Sequence, residues 1–376
     1  MRNSRKWCIA AATGLALVTA TAGAQEIRIG AVFPLSGPNA SYGDIFSSGA
    51  NLAVEHINAD HLLGGKLVIQ YEDSQALPQQ GVIAMNKLVN VAKVPYVLSA
   101  FTGVSKAISA IAQRTKTVAV NGGGVGPDLA ELGPYFWNVI PLVNLEVRAM
   151  VPYLVKERGL KRVVLVYVDD PLGQSVRKEL ESAIPAAGGQ LVESLSVPTN
   201  AQQFSGVAAR LREAKPDVVY IASYGAQQLQ IIKQFRDNGI TQQLASYSAF
   251  SIPEIEALGE ARGALYTTQS VDWGSQDPVT RRLVEDYKAK HGKTPAAYIA
   301  NYYNAVRLFA LLARDLQKKK KPITGENLLA QRNETKSFDL VGGKLTFEPN
   351  GTIIAPIQVN EVDGKGGKVL AQPRPK

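Results

Sequence analysis

Cysteine is all but absent from this chain of 376 residues: the single one is Cys8. It falls inside an N-terminal segment that reads as removable, and too early in it to be a lipidated residue at a cleavage point. The remaining chain therefore carries no disulfide, thiol nucleophile or thiolate metal site. Histidine is scarce as well, limited to His56, His61 and His291. The first two are five apart, whereas a helical metal pair needs i, i+4 spacing, and His291 precedes Gly292 at an expected helix end. All three are expected to be structural or exposed, with no metal and no cofactor. Charged residues make up 19%, and the densest run of one sign, Lys318 to Lys321, sits where cations suit the C-terminus of a helix. Charge so dispersed excludes an obvious nucleic-acid face. Low-complexity tracts, short repeats and a P-loop are also missing. The run Gly122-Gly123-Gly124-Val125-Gly126 fails as a dinucleotide fingerprint, because Pro127 stands where G-x-G-x-x-G requires glycine.

What is present begins with a short basic start, Met1 to Lys6, then an apolar stretch from Trp7 to Val18 and the small residues Ala22-Gly23-Ala24. This three-part layout predicts a secretory signal peptide over 1–24, cleaved before Gln25. Its apolar core falls short of the ~20 residues that span a bilayer. Cleavage removes Arg2, Arg5 and Lys6, so 41 basic residues fall to 38 against 32 acidic and the formal charge from +9 to +6. The expected fate is export. Without disulfide staples, an exported chain depends on the size of its core, and this length suits two lobes.

Apolar strand-like runs then alternate with helical periodicity. Glu26 to Phe33, Leu67 to Tyr71, Tyr96 to Phe101 and Thr117 to Asn121 read as strands, separated by helices over Tyr42–Ala59, Gln79–Ala92 and Ser105–Lys116. The scheme repeats with the strands Arg162–Val168, Gln190–Val197 and Val218–Ser223. Asp277 to Leu316 is helical, and Lys344 to Val362 reads as a closing strand pair. Continuous apolar strands alternating with helices predict parallel sheets covered on both faces. The expected fold class is α/β, with two Rossmann-like lobes.

A ligand crevice in such sheets lies beyond the carboxyl ends of the strands. There the sequence offers Thr102-Gly103-Val104-Ser105 leading into a helix, where free amides and the two hydroxyls suit a carboxylate; capping by Ser105 is a compatible alternative. Gly122 to Gly124 would let main-chain amides approach a small ligand. Tyr42 and Tyr224 are candidate walls. Catalytic residues are not expected. Asp169-Asp170 is the one pair that could serve an exported hydrolase, although adjacent carboxylates on a turn are usually solvated or capping.

Taken together, several segments resemble the periplasmic leucine/isoleucine/valine-binding protein family, the type I solute-binding proteins. They are IRIGAVFPLSGPNASYGDIFSSGANLAVEHIN, YEDSQALPQQGVIAMNKLV, VGPDLAELGPYFWNVIP, FSGVAARLREAKPDVVYI and TPAAYIANYYNAVRLFALL. The resemblance implies two lobes joined by three crossings: 25–143 with 274–345, and 144–273 with 346–376. It further implies a small-molecule ligand between the lobes, delivery to the permease subunits of an ABC importer, and a monomer. Phe101, Thr102 and Gly103 match the segment that holds a ligand carboxylate, and Gly123 and Gly124 match the second head-group loop. Tyr42, Tyr224 and Tyr298 match rings around the pocket. Gly103 stands where amino-acid binders carry a serine, Leu172 where a tyrosine is expected, and Ser248 where an acid pairs with a ligand ammonium. Gln75 and Thr102 occupy the disulfide positions. A buried ammonium with no counter-charge is costly, so the expected ligand is a small carboxylate with an apolar or aromatic part. A branched-chain amino acid and a sensory role stay open as alternatives.

Overall fold

The computed structural model describes residues 26–372; the expected signal peptide lies outside them. The chain opens with β1 (Glu26–Phe33), α1 (Ala40–Ala59), β2 (Lys66–Asp73), α2 (Pro78–Asn86), β3 (Tyr96–Ser99), α3 (Thr102–Thr115), β4 (Val118–Asn121) and β5 (Phe136–Asn138). A second lobe follows with α4 (Val143–Pro152), β6 (Arg162–Val168), α5 (Pro171–Ala186), β7 (Gln190–Val197), α6 (Ser205–Ala214), β8 (Val218–Ala222), α7 (Gly225–Asp237), β9 (Gln243–Ser246), α8 (Pro253–Ala257) and β10 (Leu265–Gln269). The chain then returns to the first lobe as α9 (Pro278–His291), α10 (Ala297–Lys318), α11 (Gly325–Thr335), β11 (Ser337–Leu340), β12 (Gly343–Phe347) and β13 (Ile353–Ile354). It ends in the second lobe with β14 (Ile357–Glu361) and β15 (Lys368–Ala371).

The first sheet runs β2-β1-β3-β4-β5, all parallel. The second contains the same order, β7-β6-β8-β9-β10, and adds β14 and β15 antiparallel beyond β10. Each sheet therefore has a point where successive strands part in opposite directions, between β1 and β3 and between β6 and β8. A crevice opens there beyond the strand ends. The central strands are buried as their sequences require. In β6 every residue after Arg162 is buried, because helices cover both faces of a parallel sheet. This is the two-lobed α/β architecture with parallel sheets that the apolar strand runs predict.

Three crossings join the lobes, at 139–142, 270–277 and 355–356. The Val143 amide donates to the Val125 carbonyl at 2.7 Å, tying the first crossing to the glycine loop, and the Ser270 amide donates to Pro356 at 2.8 Å, tying the second to the third. The third crossing comes later than the expected boundary at 345/346, which would cut β12. That strand pairs with β11 and with β13 in a small antiparallel sheet on the first lobe, so the chain stays there through Ile354. The expected closing pair over 344–362 is accordingly divided between two sheets: β12 lies in one and β14 in the other. Helix α3 starts at Thr102, three residues before the expected Ser105. The helix expected over Gln79–Ala92 loosens after Asn86 into a wider turn, Lys87–Val91.

Candidate functional site

The two crevices face each other across one cavity of about 800 Å³. The loops after β1, β2, β3 and β4 line it from the first lobe, and those after β6, β7, β8 and β9 from the second. Nine of the ten residues singled out in the sequence meet there: Tyr42, Phe101, Thr102, Gly103, Gly123, Gly124, Leu172, Tyr224 and Tyr298. Rings make the inner wall. Phe101 meets Tyr42 edge-on at 5.6 Å between centroids and reaches across to Tyr224 at 5.2 Å, while Tyr42 meets Tyr298 at 5.8 Å. Edge-to-face pairs at such separations are favourable, and the Phe101–Tyr224 pair joins the lobes. A polar contact does the same: the Tyr42 hydroxyl donates to the Ala249 carbonyl at 3.2 Å, and Gln228 Nε2 donates to both groups.

The site's electrostatics come from backbone more than from side chains. Helices α1, α3, α5 and α7 all begin at this cavity, and only α5 has a side-chain cap, from Asp170. The unbonded amides of a first turn and the helix dipole favour an anion. At α3 the Thr102 hydroxyl accepts from the Gly126 amide at 3.1 Å, which leaves its own proton to donate. Phe101 holds φ at 63°, a strained value for a residue with a side chain, of the kind found at ligand clamps. Among the described residues no Lys, Arg, His or Glu lines the cavity; Asp170 is the sole carboxylate. Burial raises its pKa, opposed by bonds from the Gly173 amide and the Tyr224 hydroxyl.

Three expectations need correction. Ser248 does not line the cavity. It is buried, and both its amide and its hydroxyl donate to Glu146, at 2.7 and 2.9 Å. Ser105 turns its hydroxyl back onto Ser99 at 2.7 Å and leaves Thr102 as the hydroxyl at the α3 start that lines the cavity. The amides of Gly123 and Gly124 are not free for a ligand: both donate to Asn121 Oδ1, at 3.2 and 2.6 Å. These glycines are needed for space instead. A Cβ on Gly124 would lie 2.9 Å from the Phe101–Thr102 peptide, and one on Gly123 would lie 2.8 Å from the Tyr302 hydroxyl. Gly103 has no such constraint, since a side chain there would meet Pro78 at an ordinary 3.4 Å.

Sequence reasoning missed Glu146, whose partners Ser248 and Thr267 lie more than a hundred residues downstream. It also missed the glutamines of α7. Gln227, Gln230 and Gln234 line the cavity, and their i, i+3, i+7 spacing after a strand end was the available signal. Asp169 and Asp170 do not act as a pair. Asp169 lies outside the lining and accepts from Gln174 at 2.9 Å, while Asp170 caps α5. The histidines lie elsewhere: His56 is buried between Tyr303 and Asp286, and His291 stacks on Tyr287. Among the described residues no His/Cys/Asp/Glu cluster could hold a metal ion, and no helix is long and apolar enough to cross a membrane.

Residues 26–368 match the family described as periplasmic binding protein. Leu/Ile/Val-binding protein homolog 3 of Brucella melitensis is 27% identical over 342 residues, spanning 90% of this chain and 91% of that protein. The leucine-specific-binding protein of Salmonella typhimurium is 26% identical over 316 residues, 82% of this chain and 84% of that one. Among solved structures, a leucine-binding protein from Thermotoga maritima shares the fold with a TM-score of 0.84 at 22% identity, covering 93% of this chain and 99% of the other. The solute-binding protein of an ABC transporter from R. palustris, in complex with benzoate, follows at 0.83 and 17%, covering 93% and 96%. With a matched segment that runs through both sheets and all three crossings, the chain belongs to the periplasmic binding protein family.

Proposed function

We propose that this protein is the periplasmic solute-binding component of an ABC importer, acting as a monomer after removal of residues 1–24. It carries a small carboxylate with an apolar or aromatic part and does not transform it. The observation that carries this reading is the composition of the cavity: rings, helix N-termini and the Thr102 hydroxyl converge on it, and the one carboxylate among the described residues that line it, Asp170, has both oxygens taken up by Gly173 and Tyr224. The ligand carboxylate would sit at the α3 start, with Tyr42, Phe101, Leu172 and Tyr224 around its apolar part. Contacts to both lobes would favour the closed arrangement that Tyr42 and Ala249 already bridge, shifting an open–closed equilibrium. Relatives named as leucine-, isoleucine- and valine-binding proteins support the solute-binding role, and an ABC-transporter solute-binding protein of the same fold, solved with benzoate, supports an acid without an ammonium as the ligand. The position expected to hold an ammonium's counter-charge is Ser248, which is turned away. Native mass spectrometry of freshly purified protein, followed by calorimetry with leucine, benzoate and 4-methyl-2-oxopentanoate, tests the reading. Oxo or aromatic acids are expected to bind and leucine to bind weakly. Tight leucine binding, or turnover of any ligand, would overturn it.

A further inference from the structure

The cavity is larger than its ring-lined end. A leucine- or benzoate-sized solute would occupy only a fraction of about 800 Å³, a volume that suits a considerably longer ligand. The exposed part of its lining comes from both lobes. On the second lobe, α7 and the loop after β7 contribute Asn200, Gln202, Gln203 and Gln230; on the first, the loop after β2 contributes Gln75. All five are exposed, and among the described residues none of the five side chains bonds to another protein group. Their neighbours explain why they stay available. Gln227 donates to the Pro198 carbonyl at 2.7 Å, and Gln234 donates to the Gln202 carbonyl at 2.7 Å while accepting from the Phe204 amide at 2.8 Å. These two glutamines fasten the loop to α7 and leave Gln230, between them on the same helix face, uncommitted. Opposite, Gln75 and Ala76 take consecutive left-handed conformations, φ 51° and 59°, held where Asp73 and Ser74 accept their amides. Strain of this sort persists where the surrounding structure fixes it, commonly at ligand clamps.

Among the described residues, this exposed part of the lining thus presents five carboxamides, beside Leu77, Pro78 and Thr199, and no charged side chain. A carboxamide offers both a donor and an acceptor, so a neutral amide group can use both at once, whereas an ion of either sign uses only one of them. We infer that the solute is a carboxylate with an apolar side chain that continues into a neutral amide-bearing arm, such as an N-acylated amino acid or N-acylated dipeptide. Acylation also turns a ligand ammonium into a neutral amide that needs no counter-charge, which suits a cavity whose one lining carboxylate among the described residues, Asp170, is already bonded to Gly173 and Tyr224. The inference rests on the carboxylate reading proposed above and extends it.

Calorimetry with a graded set tests it: 4-methylpentanoate, N-acetyl-leucine and N-acetylglycyl-leucine, with a parallel benzyl series. Within each series the carboxylate and side chain are constant while no, one and two neutral amides are added. Affinity is expected to rise at least tenfold from the first to the last. Gln203→Leu and Asn200→Leu are expected to remove most of that gain and to leave the simple acids within twofold. If the simple acids bind as tightly as their extended partners, or if both variants weaken all ligands alike, the arm has no site and the inference falls while the carboxylate reading stands. If no acid in either series binds, the carboxylate reading fails and takes this inference with it.

Discussion

Glu146 should make the protein less stable as pH rises. Its carboxyl is 1% exposed and accepts three bonds, from the Ser248 amide, the Ser248 hydroxyl and the Thr267 hydroxyl at 2.7–2.9 Å. Burial outweighs those bonds and raises its pKa from 4.5 to about 7. The folded state then holds this proton more tightly than the unfolded chain does. Stability falls as pH rises from about 4.5 to about 7 and stays lower above that range, by ~3 kcal/mol for a shift of this size. Glu146→Gln removes the titration. The amide oxygen can accept from the Ser248 amide and Thr267, while the new NH₂ faces the Ser248 hydroxyl, which can rotate to accept, at a cost of ~1 kcal/mol. The variant should be slightly less stable than the parent at pH 5 and more stable by ~2 kcal/mol at pH 8. Urea unfolding of both proteins, free of ligand, at pH 5, 6.5 and 8 measures the crossover. A difference that does not change with pH, or a variant that loses most at pH 8, would mean the buried group stays ionised and the argument is wrong.

Further changes address the site and its frame. Thr102→Val removes the acceptor of the Gly126 amide and the hydroxyl offered to a carboxylate, and should weaken acid binding about tenfold by calorimetry. Tyr42→Phe deletes the bond to Ala249 across the lobes; apparent affinity should drop ~5-fold, and small-angle scattering should show a more open ligand-free form. Gly173→Ala would bring a Cβ to 1.8 Å from the Val168 carbonyl, so the start of α5 must move. A loss of more than ~2 kcal/mol in unfolding experiments is expected.

The sequence carried the strands well, because β6 and β8 are buried on both faces and write that into unbroken apolar runs. That Tyr42, Thr102 and Tyr224 would come to one cavity was legible because each follows a strand end, where the crevice of such sheets lies. Ser248 was misread because matching by position treats a residue as pointing where its counterpart points. A carboxylate from a helix 102 residues earlier takes both its donors, and no local pattern announces such a pairing. The glycine amides went the same way to Asn121. The 345/346 boundary failed for a different reason. Short alternating strands such as β12 and β14 look alike in sequence, and only pairing decides which sheet each joins.

Asp170 separates the two surviving ligand classes. Among the described residues it is the sole carboxylate lining the cavity, and both oxygens are engaged: Oδ1 accepts from the Gly173 amide at 2.8 Å and Oδ2 from the Tyr224 hydroxyl at 2.5 Å. Asn in its place keeps the cap through its oxygen and can donate to the Tyr224 oxygen through its NH₂, so the local frame should hold. Only the charge is lost. Two carboxylates about 8 Å apart repel by ~2 kcal/mol at an effective dielectric of ~20. Asp170→Asn should therefore tighten a ligand that binds as a bare carboxylate, by a factor of up to ~30. For an amino acid whose ammonium uses Asp170 as its counter-charge, the same variant should lose affinity by a comparable factor, because an unpaired buried ammonium is costly. Calorimetry of parent and variant with one acid and with leucine gives opposite signs for the two cases. Weaker acid binding by the variant would show that Asp170 helps to hold the ligand, and would refute the view that helix N-termini and Thr102 alone supply the positive field.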